Sequence, residues 1–257
     1  MVDTLTWQSD ERCAVGDLTF QILPADTLDK DEPSLSMVGA DFLLFKHRST
    51  VERYAEVLEE LGPLHIFELG ILEGGSTALL WELAQPRVIA AIDHRPPINP
   101  ALRDYVSRRE LDDVIRIHTD VDQADRSHLA KIAEEAFGDE ALDLVVDDCS
   151  HMYEATRASF NELFPRLRLG GLFAIEDWDW TRYRRIAEMW ADQVPLTRLI
   201  LELVLVLASG SGLISEITVA DGLVQVRRGS AKIDSRGFDI LDYLDASGQS
   251  LLARESG

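Results

Sequence analysis

Two acidic clusters stand at the ends of two apolar runs. Leu142-Asp143-Leu144-Val145-Val146 leads into Asp147-Asp148-Cys149-Ser150-His151, and Gly170-Gly171-Leu172-Phe173-Ala174-Ile175 leads into Glu176-Asp177. Short apolar runs bounded by turn chemistry are the pattern of buried parallel strands. Open α/β sheets hold their ligands at the carboxyl ends of such strands. Asp148, Glu176 and Asp177 are therefore expected at one sheet edge, with His151 one turn beyond. Two unit charges about 4 Å apart repel by roughly 4 kcal/mol at an effective dielectric near 20. Three carboxylates in one cleft need a cation, a shared proton or wide separation. A hard divalent cation such as Mg²⁺ fits best, because it favours oxygen ligands and keeps waters for a substrate to replace.

The elements that must position these residues alternate along the chain. Helical spacing of Val51, Tyr54, Ala55, Leu58 and Leu61 predicts a helix over about Ser49 to Leu61, ended by Gly62-Pro63. Strands are expected at Leu64–Leu69, Arg87–Ile92, Val114–His118, Leu142–Val146 and Leu172–Ile175. Helices are expected between them, beginning at Ser76, Leu102, Ser127 and Tyr153. This βαβα order calls for a doubly wound, mostly parallel sheet. Residues 181 to 207 read as helical. Ser215–Val219 and Leu223–Arg228 then flank Asp221-Gly222, which predicts a C-terminal antiparallel hairpin. The division that follows is an N-terminal extension over 1–48, a main domain over 49–229 with a helical insertion at about 181–213, and a tail over 230–257. Val15 to Leu23 is expected to form a short strand or hairpin arm, and Pro24 to Pro33 a loop.

The first strand of the main domain runs into Phe67-Glu68-Leu69-Gly70-Ile71-Leu72-Glu73-Gly74-Gly75-Ser76-Thr77. Gly70 suits a tight turn, Gly74-Gly75 lets a ligand lie against the backbone, and Ser76 or Thr77 can cap the next helix. The spacing is neither the dinucleotide fingerprint nor a P-loop. Asp93 ends the second strand, where an acid can accept hydrogen bonds from ribose hydroxyls. Asp120 lies just past the third, within reach of an adenine amino group. The plainer alternative is a strand–helix turn with solvating acids at strand ends.

Taken together these features resemble the S-adenosylmethionine pocket of class I methyltransferases, a Rossmann-like α/β fold, whose motif E/D-x-G-x-x-x-G-[GS] matches Glu68, Gly70, Gly74 and Gly75. The resemblance implies a cofactor set of Glu68, Gly70, Gly74, Ser76, Asp93, Asp120 and Asp147. The second half resembles metal-dependent O-methyltransferases of the catechol type, with His151 where those enzymes carry a lysine. It is more similar to the sugar O-methyltransferases of macrolide biosynthesis and the related cephalosporin-hydroxylase-like family. Their motifs read here as Asp147-Asp148-Cys149-Ser150-His151, Leu163-Phe164-Pro165-Arg166-Leu167-Arg168-Leu169-Gly170-Gly171 and Ile175-Glu176-Asp177, with Cys149 replacing a glycine. The resemblance covers about residues 40–180. It implies Mg²⁺ on Asp148, Glu176 and Asp177, and His151 as general base. An unperturbed histidine titrates at roughly pH 6.5, which suits proton transfer at neutral pH. Against this stands a His151 that only bonds Asp148 at the start of a helix.

Trp178, Trp180 and Tyr183 follow the second acidic pair and are expected in an acceptor site, where aromatic faces stack on sugar rings. A packed helix start is the alternative. The expected acceptor is a small molecule or an oligosaccharide. Competing readings are a phenolic acceptor, a nucleoside- or cation-binding module without transfer chemistry, and a hydroxylase. The last needs two histidines and a carboxylate on iron, which His151 alone does not supply.

Composition narrows the remaining classes. A formal net charge of −21 argues against nucleic-acid and anionic-membrane partners, which call for Lys and Arg clusters. Cys13 and Cys149 imply no disulfide framework. The first residues lack a basic and apolar leader pattern, and the apolar run from Leu199 to Ile214 is broken by Glu202 and glycines, so a cytoplasmic protein is expected. Family resemblance adds the expectation of a homo-oligomer.

Overall fold

The computed structural model describes residues 4–23, 40–62, 64–96, 100–246 and 248–250. The loop expected at Pro24 to Pro33 lies outside the described residues. A seven-stranded sheet carries the fold. Its strands are β5 (His65–Leu69), β6 (Val88–Ile92), β7 (Ile115–His118), β8 (Leu142–Asp147), β9 (Leu167–Glu176), β10 (Ile214–Ala220) and β11 (Leu223–Arg228), in the order β10-β11-β9-β8-β5-β6-β7. β5 to β9 run parallel, while β11 pairs antiparallel with both β9 and β10. The hairpin turns at Asp221-Gly222, with Ala220 opposite Leu223 and Gly222 at φ +68°.

The central strands are apolar on both faces because helices cover both. Side chains alternate along each strand. Phe67, Leu69, Ala90, Ile92 and Val145 join one core with helices α4 (Arg126–Phe137), α5 (Tyr153–Leu163) and α7 (Thr197–Ala208). Ile66, Ile89, Ala91, Leu144 and Val146 join another with α1 (Arg48–Leu61), α2 (Gly75–Ala84) and α3 (Pro100–Arg108). The expected strands and helices thus lie within a few residues of their predicted bounds.

Two regions differ from expectation. The N-terminal stretch builds a second sheet of β1 (Thr6–Ser9), β2 (Arg12–Val15), β3 (Leu18–Ile22) and β4 (Phe42–Leu44), where β4 pairs parallel to β3. Cys13, Val15, Phe20, Ile22, Phe42 and Leu44 are buried in the same core as α1 and α2. Phe42 meets Tyr105 of α3 edge-on at 5.6 Å. The expected helix after residue 181 is two helices, α6 (Arg184–Met189) and α7. Pro195 lies between them, and its ring and missing N–H keep one helix from running through both. Beyond β11, Phe238, Ile240 and Leu244 are buried against the α4, α5 and α7 core, and the Ile240 amide donates to Asn161. Among the described residues no helix is long and apolar enough to cross a membrane.

Candidate active site

Three strand ends meet at the site. The Asp148 amide donates to the Leu69 carbonyl, the Gly70 amide to Ile92, and the Asp177 amide to Gly222, each at 2.9 Å. These bonds extend the ladders one residue past β8, β5 and β9. Gly70 is required by the approach of Asp148: with φ +94°, a Cβ there would lie 2.0 Å from the Asp148 carbonyl oxygen. The glycine turn and the first acidic cluster are therefore in direct backbone contact.

Asp148, His151 and Asp177 converge, each with a ligand atom within 4.8 Å of the others. His151 Nε2 lies 4.0 Å from Asp148 Oδ1 and 3.9 Å from Asp177 Oδ2. His151 and Asp177 adopt φ of +56° and +49°. Residues other than glycine rarely take this left-handed conformation, which costs roughly 1–3 kcal/mol and clusters at functional sites. Neighbouring bonds enforce it. Trp180 Nε1 donates to the His151 carbonyl at 3.1 Å, and the Trp180 amide donates to the Asp177 carbonyl at 3.2 Å.

Glu176, expected with Asp148 and Asp177, lies beside this set but outside it, its oxygens engaged by other partners. Lys46 Nζ donates to both its oxygens at 2.6 Å and to Asp148 Oδ2 at 2.7 Å. The Tyr54 hydroxyl donates to Glu176 Oε1 at 2.7 Å. Lys46 comes from the link between β4 and α1, and Tyr54 from α1, so the N-terminal sheet and first helix complete the site. Sequence reasoning missed both. The one available signal was a lysine at the end of the apolar Phe42–Phe45 run, one of four lysines in the chain. Burial alone would lower the Lys46 ammonium's pKa, but Asp148 and Glu176 outweigh it and hold it above the ordinary lysine range. Burial, then the Asp148 charge, raises the Glu176 carboxyl, and burial raises Asp177. Oxygen-rich, clustered and under-neutralised, this donor set fits a hard divalent cation.

The expected cofactor residues divide into two layers. A 480 Å³ cavity between the ends of β7 and β8 is lined by Asp120, Gln123, Cys149 and Ser150, among others. Its volume falls within the roughly 300–1,000 Å³ of small-molecule sites. Asp93 ends β6 and accepts from the amides of Ile71 and Leu72 at 3.1 and 2.9 Å, and from Arg95. Burial opposes its ionisation, but Arg95 and these amides hold it below the usual carboxylate range. Ser76, with Gly70, Gly75 and Lys46, lines a small separate cavity of 20 Å³. Gly74 is the N-cap of α2, without a side-chain cap. Thr77, expected as a possible cap, donates instead to Glu68 at 2.6 Å.

Asp147 and Glu68 belong to the layer beneath. Asp147 is 2% exposed, and its oxygens are taken by Gln123 Nε2 at 2.6–2.7 Å and Ser159 at 2.7 Å. It anchors Gln123, whose Oε1 accepts from the Ser150 hydroxyl at 2.7 Å. Burial pushes the Asp147 carboxyl up to about 6 and the Glu68 carboxyl up to about 7. Burial and the surrounding acids likewise raise the Cys149 thiol, which argues against a nucleophilic role. Of the expected acceptor residues, Trp180 and Tyr183 are buried and Trp178 is partly open, its Nε1 donating to Ala220. Tyr183 is hydrogen-bonded to His47 Nε2 at 3.0 Å. A larger hollow of 680 Å³ lies toward the C-terminal ends of α1 and α2, by Gly62 and Ala84, away from these strand ends.

Residues 67–178 match a family described as a methyltransferase domain. A tetracenomycin-C rhamnosyl 3'-O-methyltransferase from Streptomyces olivaceus is 34% identical over 47% of this chain and 29% of its own length. The mycinamicin VI 2''-O-methyltransferase of Micromonospora griseorubida is 42% identical over 31% of this chain and 19% of its own. The matches thus span under a third of these curated relatives. The solved structure of the MycE methyltransferase of mycinamycin biosynthesis, in complex with Mg and SAH, aligns with a TM-score of 0.51 and 25% identity, covering 69% of this chain and 49% of that one.

Proposed function

We propose that this chain, whose residues 67–178 match a methyltransferase domain and whose fold aligns with the MycE methyltransferase, is an S-adenosylmethionine-dependent, Mg²⁺-dependent O-methyltransferase acting on a sugar hydroxyl of a glycoside or oligosaccharide, with His151 as general base. The convergence of Asp148, His151 and Asp177 beside the β5 glycine turn is the observation that carries this reading. Transfer to a hydroxyl needs a proton acceptor and a charge-stabilising group beside the methyl donor, and this is where such groups meet. The sugar class is supported by the Streptomyces olivaceus relative named above, whose name describes O-methylation of a rhamnosyl compound.

On this reading Asp93 would take the ribose hydroxyls, and the cavity by Asp120 and Gln123 would hold the base. Asp148 and Asp177, joined by Glu176, would hold the cation. When bound, the cation supplies Lewis acidity to an acceptor hydroxyl, and S-adenosylmethionine supplies an electrophilic methyl. His151 Nε2 takes the hydroxyl proton, and the carboxylates near 4 Å stabilise the resulting imidazolium. Trp180 holds the His151 backbone so that the ring keeps this position. Homo-oligomer formation belongs to the same proposal, supported by exposed Leu201 and Val204 on α7 and Val219 on edge strand β10.

Calorimetric titration with S-adenosylmethionine and electron-spin detection of bound Mn²⁺ test the two ligands separately. Asp93→Ala is expected to weaken the cofactor at least about tenfold and Asp148→Asn to weaken Mn²⁺ similarly, one kcal/mol-scale contact each. A wild-type chain that binds neither ligand would overturn the reading.

A further inference from the structure

Lys46 belongs to two places at once. Its ammonium is bonded to Asp148 and Glu176 in the metal-site cluster, and the residue is 5% exposed. The same residue lines the 20 Å³ cavity between the end of β4 and the β5–α2 turn, together with Gly70, Glu73, Gly75, Ser76 and Asp148. Among the described residues lining that cavity, Lys46 is the cation, and Glu73 and Asp148 are the acids.

A carboxylate entering there meets like charge unless a cation accompanies it. The amino-acid end of S-adenosylmethionine carries such a carboxylate. While Lys46 is held by Glu176 and Asp148, its charge is already used. A divalent cation on the same carboxylates takes over that neutralisation and repels the ammonium, and a buried ammonium cannot stay unpaired. Its flexible four-carbon stem allows a short move. On the reading given above, we propose that Lys46 couples the two ligands: cation binding to Asp148 and Glu176 releases its ammonium to pair with the carboxylate of the methyl donor. By linkage, the donor tightens cation binding by the same factor.

The test is calorimetric titration of the full chain with S-adenosylmethionine, and with decarboxylated S-adenosylmethionine, in Mg²⁺ and in chelator. Wild type is expected to bind the first about tenfold tighter in Mg²⁺ and the second equally in both. Lys46→Met is expected to lose the Mg²⁺ dependence for the first. Equal Mg²⁺ dependence for both donors in wild type, or an unchanged dependence in Lys46→Met, overturns the coupling. The two-donor comparison needs no variant, so a Lys46→Met chain that does not fold leaves the decision intact. Failure of the methyltransferase reading looks different: wild type then binds neither donor under either condition, which overturns the coupling as well.

Discussion

His151 Nε2 lies 3.9 Å from Asp177 Oδ2, and both residues hold a left-handed backbone. The site keeps two strained residues close together on the segments that follow two different strands, β8 and β9. Asparagine tolerates this conformation better than most residues. His151→Asn is therefore expected to unfold at a denaturant midpoint equal to or above wild type, to bind S-adenosylmethionine equally, and to turn over about 10²–10⁴-fold more slowly. Stopped methyl transfer with weakened cofactor binding would instead make His151 a structural residue.

Glu68 gives the fold a pH dependence of definite sign. Burial lifts its carboxyl from 4.5 to about 7. Between those values the folded chain holds the proton more tightly than the unfolded chain. The stability this group contributes is full below the unfolded value and is lost as pH rises through the folded one. At about 1.4 kcal/mol per pH unit, the loss approaches roughly 3 kcal/mol. Urea unfolding in chelator at about pH 5 and about pH 8 should show a steeper fall for wild type than for Glu68→Gln. Equal falls would count against a protonated Glu68.

Two glycines separate packing from backbone strain. A Cβ on Gly75 would lie 2.1 Å from the Leu43 carbonyl of β4, whereas one on Gly62, at φ +50°, meets nothing within 4 Å. Gly75→Ala should cost about 1–3 kcal/mol by overpacking, and Gly62→Ala about 1–2 kcal/mol by strain alone. Because β4 leads directly to Lys46, only Gly75→Ala should also weaken cofactor binding. Calorimetry on both variants checks this, and equal cofactor affinities would uncouple the N-terminal sheet from the site.

The main sheet was legible because its central strands are buried on both faces, so each one appears as a mostly apolar run ending in an acid or a glycine. Asp148, His151 and Asp177 could be placed together for that reason. Lys46 and Tyr54 could not, because they lie 102 and 122 positions from their partners, Asp148 and Glu176. They reach the site through a helix docked by a separate sheet, in which β3 and β4 pair across a long separation. Asp147 and Asp148 read alike in sequence, yet strand alternation sends one beneath the sheet to Gln123 and Ser159 and the other to the site.

The most direct measurement is mass detection of methyl transfer from S-adenosylmethionine to a panel of glycosides, in Mg²⁺ and after chelation. One added methyl on the sugar and an equal amount of S-adenosylhomocysteine are expected, both lost with chelator and in His151→Ala. Methyl transfer that persists undiminished in chelator and in His151→Ala would contradict it.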